Sequence, residues 1–99
     1  MRPYLETARR VIRTEANGLA ALEAALADGL ADPFVAAMRL ILDATGRVVV
    51  SGMGKSGHVG RKIAATFAST GTPAQFVHPA EASHGALGMV TRGDVVLVL

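Results

Sequence analysis

The sequence has 99 residues, of which 51% are hydrophobic and 18% charged, which is enough for one small domain and apolar for its size. Its basic and acidic residues leave a net charge of +2 and are interspersed along the chain, which argues against a nucleic-acid-binding surface. The absence of cysteine excludes disulfides and cysteine-based sites, and is compatible with a reducing cytoplasm, where we expect the protein to lie. No apolar run has the length of a membrane span, so no membrane association is expected.

The first part of the chain predicts two helices. Apolar residues recur every three or four positions over residues 1–28, which is the period of an amphipathic helix. Gly29 is expected to end this helix in the left-handed conformation. Asp32, as N-cap, and Pro33, at the first helical position, then begin a second helix that runs to about Gly46. Its predicted inward-facing side chains are Phe34, Met38, Ile41 and Leu42.

The central feature of the sequence is a buried strand that leads through a glycine-rich turn into a helix. The strand is predicted over residues 47–53, because consecutive valines favour an extended backbone that is covered on both faces. The turn contains three glycines that bring backbone N–H groups close to a ligand, namely Gly52, Gly54 and Gly57. A helix start near Gly57 adds unpaired N–H donors, and Lys55 adds a full positive charge. The turn therefore predicts an anion site, most plausibly for phosphate.

The helix after the turn is predicted to pack on a sheet through its small and apolar residues. The side chains expected to pack are Val59, Ile63, Ala64, Ala65, Phe67, Ala68 and Thr70. Arg61 and Lys62 are expected to face outward. Gly71, followed by a proline, marks the end of the helix.

Two further strands are predicted, one over residues 75–78 and one over residues 95–99. Between them lie a segment of small and polar residues with one helical turn, over residues 79–88, and a turn at Arg92-Gly93-Asp94. The alternation of strands and helices predicts an α/β fold with a parallel sheet, preceded by two helices. The last strand is of the type covered on both faces, and no helix follows it. We therefore expect either the front part of a larger α/β domain or self-association of this chain.

The glycine spacing also matches the dinucleotide-binding fingerprint. That fingerprint requires an acidic residue at the end of the second strand, and this strand ends at His78. A P-loop is excluded because Val49 occupies the position of its first glycine. Neither nucleotide motif is therefore favoured.

All three histidines fall near predicted strand ends, where open α/β sheets bind ligands. His84 is the strongest candidate for a ligand-facing role, ahead of His58 and His78. The alternative is structural: backbone hydrogen bonds for His78 and His84, and packing at the helix start for His58. His78, Glu81 and His84 would hold a metal if their segment were helical, but a proline and a glycine weaken that geometry. No metal or other cofactor is expected, and His78 and His84 are weak metal candidates only.

Three segments together resemble sugar-isomerase (SIS) domains, and among them the D-arabinose 5-phosphate isomerases. They are GMGKSGHVGRKIAAT at residues 52–66, ASTGTP at 68–73 and FVHPAEASHG at 76–85. The resemblance implies an aldose–ketose isomerase that interconverts D-arabinose 5-phosphate and D-ribulose 5-phosphate, a step toward the Kdo of lipopolysaccharide or capsule. It also implies a nucleotide-binding-like parallel sheet and a homotetramer with sites between subunits.

The resemblance assigns roles to particular residues. Lys55 and His84 fall on active-site positions of the family. The loop that lines its sugar-phosphate pocket corresponds to Ser51, Gly52, Gly54, Ser56 and Gly57. His78 and Glu81 are further substrate-binding candidates, since they follow the second strand.

The domain organisation that we expect is an N-terminal helical segment over residues 1–46 and the first half of a SIS domain over residues 47–99. The resemblance implies that a phosphate-gripping loop and further site residues follow position 99 in the family. The alternatives to an isomerase are a non-catalytic SIS module that binds a sugar phosphate, and a fragment with no activity of its own. A DNA-binding regulator is disfavoured because no helix-turn-helix with a basic face stands out in the first 46 residues.

Overall fold

The computed structural model describes the backbone of residues 1–99 and the side chains of residues 1–85 and 88–99. Its elements, in chain order, are α1 (Arg2–Leu26), α2 (Ala31–Leu42), β1 (Val48–Ser51), α3 (Gly54–Ser69), β2 (Ala74–Phe76), α4 (Pro79–Ser83), a 3₁₀ turn (Ala86–Met89) and β3 (Val95–Val98). They divide into two compact units, Met1–Met38 and Arg39–Leu99. The predicted α/β class, with two helices before a parallel sheet, is confirmed. Among the described residues, no helix combines the length and hydropathy needed to cross a membrane.

Helix α1 ends through right-handed turns instead of at a left-handed glycine. Ala27 caps the helix with φ −85° and ψ −6°. Its N–H donates to the Ala24 carbonyl at 3.1 Å, and the Asp28 N–H donates to the Ala25 carbonyl at 3.1 Å. Gly29 does not have a positive φ, so the prediction of a left-handed terminator was wrong. The chain instead stays right-handed, and the Leu30 N–H donates to the Ala25 carbonyl at 2.9 Å just before α2 begins.

Helix α2 begins earlier than predicted, at Ala31, so that Asp32 and Pro33 lie within its first turn. Backbone N–H groups in a first turn have no intrahelical partner, and proline is therefore tolerated there without loss of a hydrogen bond. The helix ends at Leu42, before the predicted limit near Gly46.

Only one of the four side chains predicted to face inward from α2 packs against the core. Ile41 contacts the hydrophobic cluster of the second unit. The prediction was wrong for the other three, which are exposed: Phe34, Met38 and Leu42. The three- and four-residue spacing identified an apolar stripe, but a stripe does not by itself determine what covers it.

The sheet has the strand order β2-β1-β3, and both pairings are parallel. β1 is the central strand, and its three valines are the most deeply buried side chains of the sheet. Val50 lies opposite Phe76 and Leu97 in the register, so these three side chains share one face. That face forms the core with Ala64 and Phe67 of α3. β2 begins and ends before its predicted limits of 75–78.

Helix α3 covers the sheet with a narrower face than predicted. Its buried residues are Gly57, Gly60 and Ala64, while Ile63 and Phe67 are half-buried against the core. The prediction was wrong for the remaining side chains, which are exposed: Val59, Ala65, Ala68 and Thr70. Because Gly60 has no side chain, α3 lies close to the sheet, and side chains of β1 and β2 occupy the space that a Cβ would need. A Cβ on Gly60 would lie 3.0 Å from the Phe76 ring.

The apolar sequence of β3 predicted a strand covered on both faces, and this prediction was wrong. Half-buried and exposed side chains alternate along the strand. Val96 and Val98 are 51% and 70% exposed. Val96 lies opposite Val49 in the register, so this exposed row belongs to the face of the sheet away from α3. A continuous apolar run is typical of a strand with two covered faces, and in the described residues one of the two remains open.

Candidate functional site

The glycine-rich turn lies at the edge of the sheet where topology favours a ligand. From β1 the chain passes through α3 to β2 on one side, whereas β3 pairs with the other side of β1. In open parallel sheets, ligands bind at the carboxyl ends of the strands, where the connections diverge to opposite sides. Here that position lies between the carboxyl ends of β1 and β3, directly beside the turn that joins Ser51 to Gly54.

The turn needs its glycines for backbone geometry. Gly54 has φ +59°, in the left-handed region that favours glycine. A Cβ on Gly57 would lie 2.8 Å from the Gly52 carbonyl oxygen, closer than side chains pack. Helix α3 begins at Gly54, so the predicted start near Gly57 was wrong and residues 54–56 form the first helical turn. Since Met53 provides no side-chain cap, the first N–H groups of α3 remain open to an anion.

Lys55 and Ser56 are exposed within this first turn. A lysine there adds its charge to the partial positive charge of the helix N-terminus, and this arrangement attracts an anion but opposes the helix dipole. The chemistry available at this edge of the sheet is therefore anion binding next to a mobile primary ammonium group.

Ser51 has a structural partner that the sequence did not reveal. Its hydroxyl donates to the Val77 carbonyl at 2.6 Å, and the Val77 N–H donates to the Val50 carbonyl at 2.9 Å. The carboxyl ends of β1 and β2 are thereby tied together just before His78. The Ser51 oxygen retains lone pairs that can accept a hydrogen bond from a ligand.

The segment after β2 carries the other predicted site residues on a short helix. His78 caps α4, with its Nδ1 accepting the Ala80 N–H at 3.1 Å. This bond leaves Nε2 as the protonated nitrogen of the neutral ring, and therefore as a donor. Glu81 lies in the first turn of α4, and His84 is its exposed C-cap residue. Among the described residues, no group of three or more His, Cys, Asp or Glu side chains is arranged to hold a metal.

A groove of about 220 Å³ lies between α3 and β2 and brings some of these residues together. It is lined by Gly54, Gly57, His58, Arg61, Phe76 and His78. The Arg61 guanidinium stacks over the Phe76 ring, with its central carbon 4.3 Å from the ring centroid. The lining includes neither Lys55 nor His84, so the two predicted catalytic residues are not gathered in this groove.

Arg61 and Phe76 were not recognised as candidate site residues from the sequence. Arg61 was predicted to face outward, and its side chain is indeed exposed, but it lies over an aromatic ring. A signal was present in the spacing, because Gly54, Gly57, His58 and Arg61 share one face of a helix that begins at Gly54. The predicted start near Gly57 removed the first of these positions from the helix.

Asp94 stabilises the other end of the strands, where β1 and β3 begin. Its carboxylate accepts the backbone N–H of Arg47 at 2.7 Å and that of Thr91 at 2.8 Å. The Thr91 N–H bond, followed by the Arg47 N–H bond, lowers the pKa of Asp94 below its ordinary 3.8. Arg47 also donates from its guanidinium to the Gln75 side chain at 2.6 Å and to the Met89 carbonyl at 3.2 Å. Together these bonds join the start of β1 to β2, to the start of β3 and to the connection that precedes β3.

Comparisons with known proteins identify the family. The SIS domain family matches residues 40–99. An arabinose 5-phosphate isomerase (KdsD) of Pseudomonas aeruginosa is 57% identical over 96 residues, which are 97% of this chain and 28% of that protein. An arabinose 5-phosphate isomerase (GutQ) of Escherichia coli K12 is 64% identical over 74 residues, which are 75% of this chain and 23% of that protein.

Solved structures agree with the fold. The c3406 protein of E. coli CFT073, solved in complex with arabinose 5-phosphate, superimposes with a TM-score of 0.74 at 43% identity, over 94% of this chain and 49% of that one. A candidate phosphosugar isomerase involved in capsule formation from Bacteroides fragilis gives a TM-score of 0.78 at 37% identity, over 95% of this chain and 48% of that one. The chain thus spans about a quarter of the length of these curated relatives and about half of these solved chains. With a family match over more than half of its residues, this chain belongs to the SIS domain family.

Proposed function

We propose that this chain carries part of the sugar-phosphate site of an aldose–ketose isomerase that interconverts D-arabinose 5-phosphate and D-ribulose 5-phosphate. The observation that carries the proposal is the 57% identity with an arabinose 5-phosphate isomerase over 97% of this chain. Support also comes from the structural neighbour that was solved in complex with arabinose 5-phosphate. The exposed Lys55 at the open N-terminus of α3 is chemically suited to an anionic substrate.

The reaction is a proton transfer between two neighbouring carbons. A base removes the proton from C2 of the aldose, an enediol forms, and a proton returned to C1 leaves the carbonyl at C2. The step requires a base for the carbon acid and a cation or donors for the developing oxyanion. We assign the stabilisation of this charge to Lys55, and to His84 either the transfer of a proton or the orientation of the sugar. Ser51, Gly52, Gly54, Ser56 and Gly57 are assigned to the walls of the substrate site, with Glu81 beside them.

The proposal is tested by a chimera in which this chain replaces the aligned segment of the P. aeruginosa isomerase. The chimera should interconvert the two sugar phosphates, and Lys55→Ala should lower its turnover by about a hundredfold or more, since charge stabilisation is lost. Lys62→Ala, which removes another exposed lysine of α3, is the matched control and should leave turnover unchanged.

One outcome would contradict the role of Lys55, and another would contradict the isomerase. Near-normal turnover of the Lys55→Ala chimera would remove Lys55 from the mechanism. A folded chimera that binds D-arabinose 5-phosphate without turning it over would favour a non-catalytic sugar-phosphate-binding module.

The proposal also covers the location, the oligomeric state and the product of the enzyme. We infer a cytoplasmic homo-oligomer, a tetramer by analogy with the family, whose product leads to Kdo. The exposed valines of β3 support self-association, because an open apolar strand face is a liability in a monomer.

A further inference from the structure

We propose that the groove between α3 and β2 is a second anion site, which lies next to the proposed sugar-phosphate site and binds the phosphate group of a small phosphorylated ligand. Its residues are Gly54, Gly57, His58, Arg61, Phe76 and His78. Its volume of about 220 Å³ is the space of roughly seven liquid waters, enough for a phosphate group and part of the molecule that carries it.

The base of the groove is a fixed aromatic ring. A Cβ on Gly60 would lie 3.0 Å from the Phe76 ring, so the close approach of this ring to α3 depends on the missing side chain at that position. A Cβ on Gly57 would make only an ordinary contact with the ring, at 3.6 Å. The Arg61 guanidinium, from the same helix, lies over the Phe76 ring with its central carbon 4.3 Å from the ring centroid. Stacking orients the guanidinium and leaves its N–H edges available for hydrogen bonds.

The polar side chains around this ring supply hydrogen-bond donors. Arg61 brings a permanent charge and a planar set of donors that matches a phosphate. His78 presents its Nε2–H, because Nδ1 is already bonded to the Ala80 N–H. His58 adds a second imidazole from α3, and none of the residues lining the groove is acidic. A phosphate is the ligand that satisfies several such donors at once.

The groove shares Gly54 and Gly57 with the walls of the proposed sugar-phosphate site, and it differs from that site in its side of β1 and in its cationic group. The topological switch lies between β1 and β3, whereas the groove lies on the β2 side of β1. Lys55 is not part of the lining. The proposal therefore assigns His78 to this groove and not to the sugar-phosphate site.

The test is a titration of the ¹³C,¹⁵N-labelled chain with inorganic phosphate at constant ionic strength, followed by NMR. The ring signals of His58, His78 and Phe76 should shift to saturation. Arg61→Gln should weaken the apparent affinity by about tenfold or more, because a charge-assisted contact is lost. Arg61 is exposed, so the variant should fold, and His58→Gln provides an independent weakening from a second position.

Two controls distinguish this site from its surroundings. Lys62→Gln, at the next cation of α3, should bind phosphate as tightly as the wild type. Lys55→Ala should also retain binding, even though it should strongly lower the turnover of the chimera. Shifts that do not saturate, an Arg61→Gln variant that binds like wild type, or loss of binding in Lys55→Ala would each overturn the proposal.

Discussion

At the scale of single residues, Lys55 combines two opposing effects. Its charge makes the first turn of α3 attractive to an anion, and the same charge is unfavourable next to the positive end of the helix dipole. A residue that costs the helix stability while it faces solvent is better explained by a ligand than by folding.

Lys55→Ala should therefore stabilise the chain slightly while it removes activity. We expect an increase of about 0.3–1 kcal/mol in the free energy of unfolding, since the dipole is no longer opposed and alanine favours the helix. Chemical denaturation at low salt measures the effect, with Lys62→Ala as the comparison. A clear loss of stability in Lys55→Ala would show instead that Lys55 supports the fold.

Asp94 predicts how stability responds to acid. Its pKa is lowered in the folded chain, first by the Thr91 N–H and then by the Arg47 N–H, so the folded state binds its proton more weakly than the unfolded state. The resulting stability is present above the unfolded pKa of about 3.8 and is lost as the pH falls through the lower folded value.

Asp94→Asn should flatten this acid dependence. Between about pH 5 and pH 3, the denaturation midpoint of the wild type should fall more steeply than that of the variant. Asp43→Asn, at a carboxylate outside this network, is the matched control and should follow the wild type. Equal slopes for Asp94→Asn and the wild type would mean that the two backbone bonds to the carboxylate do not persist in solution.

At the scale of elements, the sequence predicted what is local and missed what depends on tertiary approach. The valines of β1 and the glycine-rich turn were recognised because their pattern is confined to a few neighbouring residues. The start of α3 was misplaced because Met53 gives no capping signal and Gly54 enters the helix with a positive φ. The stacking of Arg61 on Phe76 could not be predicted, since it depends on the close approach of a β2 ring to α3 at Gly60.

The contact between α3 and β2 predicts opposite effects for two Gly→Ala changes. A Cβ on Gly60 would meet the Phe76 ring at 3.0 Å and a Val50 methyl group at 3.2 Å, so Gly60→Ala should cost about 1–3 kcal/mol of stability. Gly18 lies within α1 with nothing within 4 Å of the added atom, so Gly18→Ala should be neutral or stabilising by up to about 1 kcal/mol. Thermal unfolding of both variants tests this, and a tolerated Gly60→Ala would argue against such close packing of α3 on β2.

At the scale of the whole molecule, the open face of β3 is the main departure from the predicted fold. Val96 and Val98 are largely exposed, although their sequence is typical of a strand covered on both sides. The sequence predicted the strand from its β-branched residues, but the number of its covered faces depends on what packs against it.

The exposed row of β3 should drive association of the chain. Sedimentation should find species larger than the 10.2 kDa monomer, and the double change Val96→Lys and Val98→Lys should shift them toward the monomer. Val59→Lys, at a similarly exposed valine of α3, is the matched control and should leave association unchanged. A wild type that stays monomeric at high concentration would contradict a role for this face.

The most direct measurement of the central claim is an NMR titration of the chain with D-arabinose 5-phosphate, in the Arg61→Gln background that weakens the second anion site. The account predicts saturable shifts concentrated in the amide signals of residues 52–56, much weaker shifts with D-arabinose, and loss of binding in Lys55→Ala. Shifts that avoid residues 52–56, or that persist unchanged without Lys55, would contradict a sugar-phosphate site at the carboxyl end of β1.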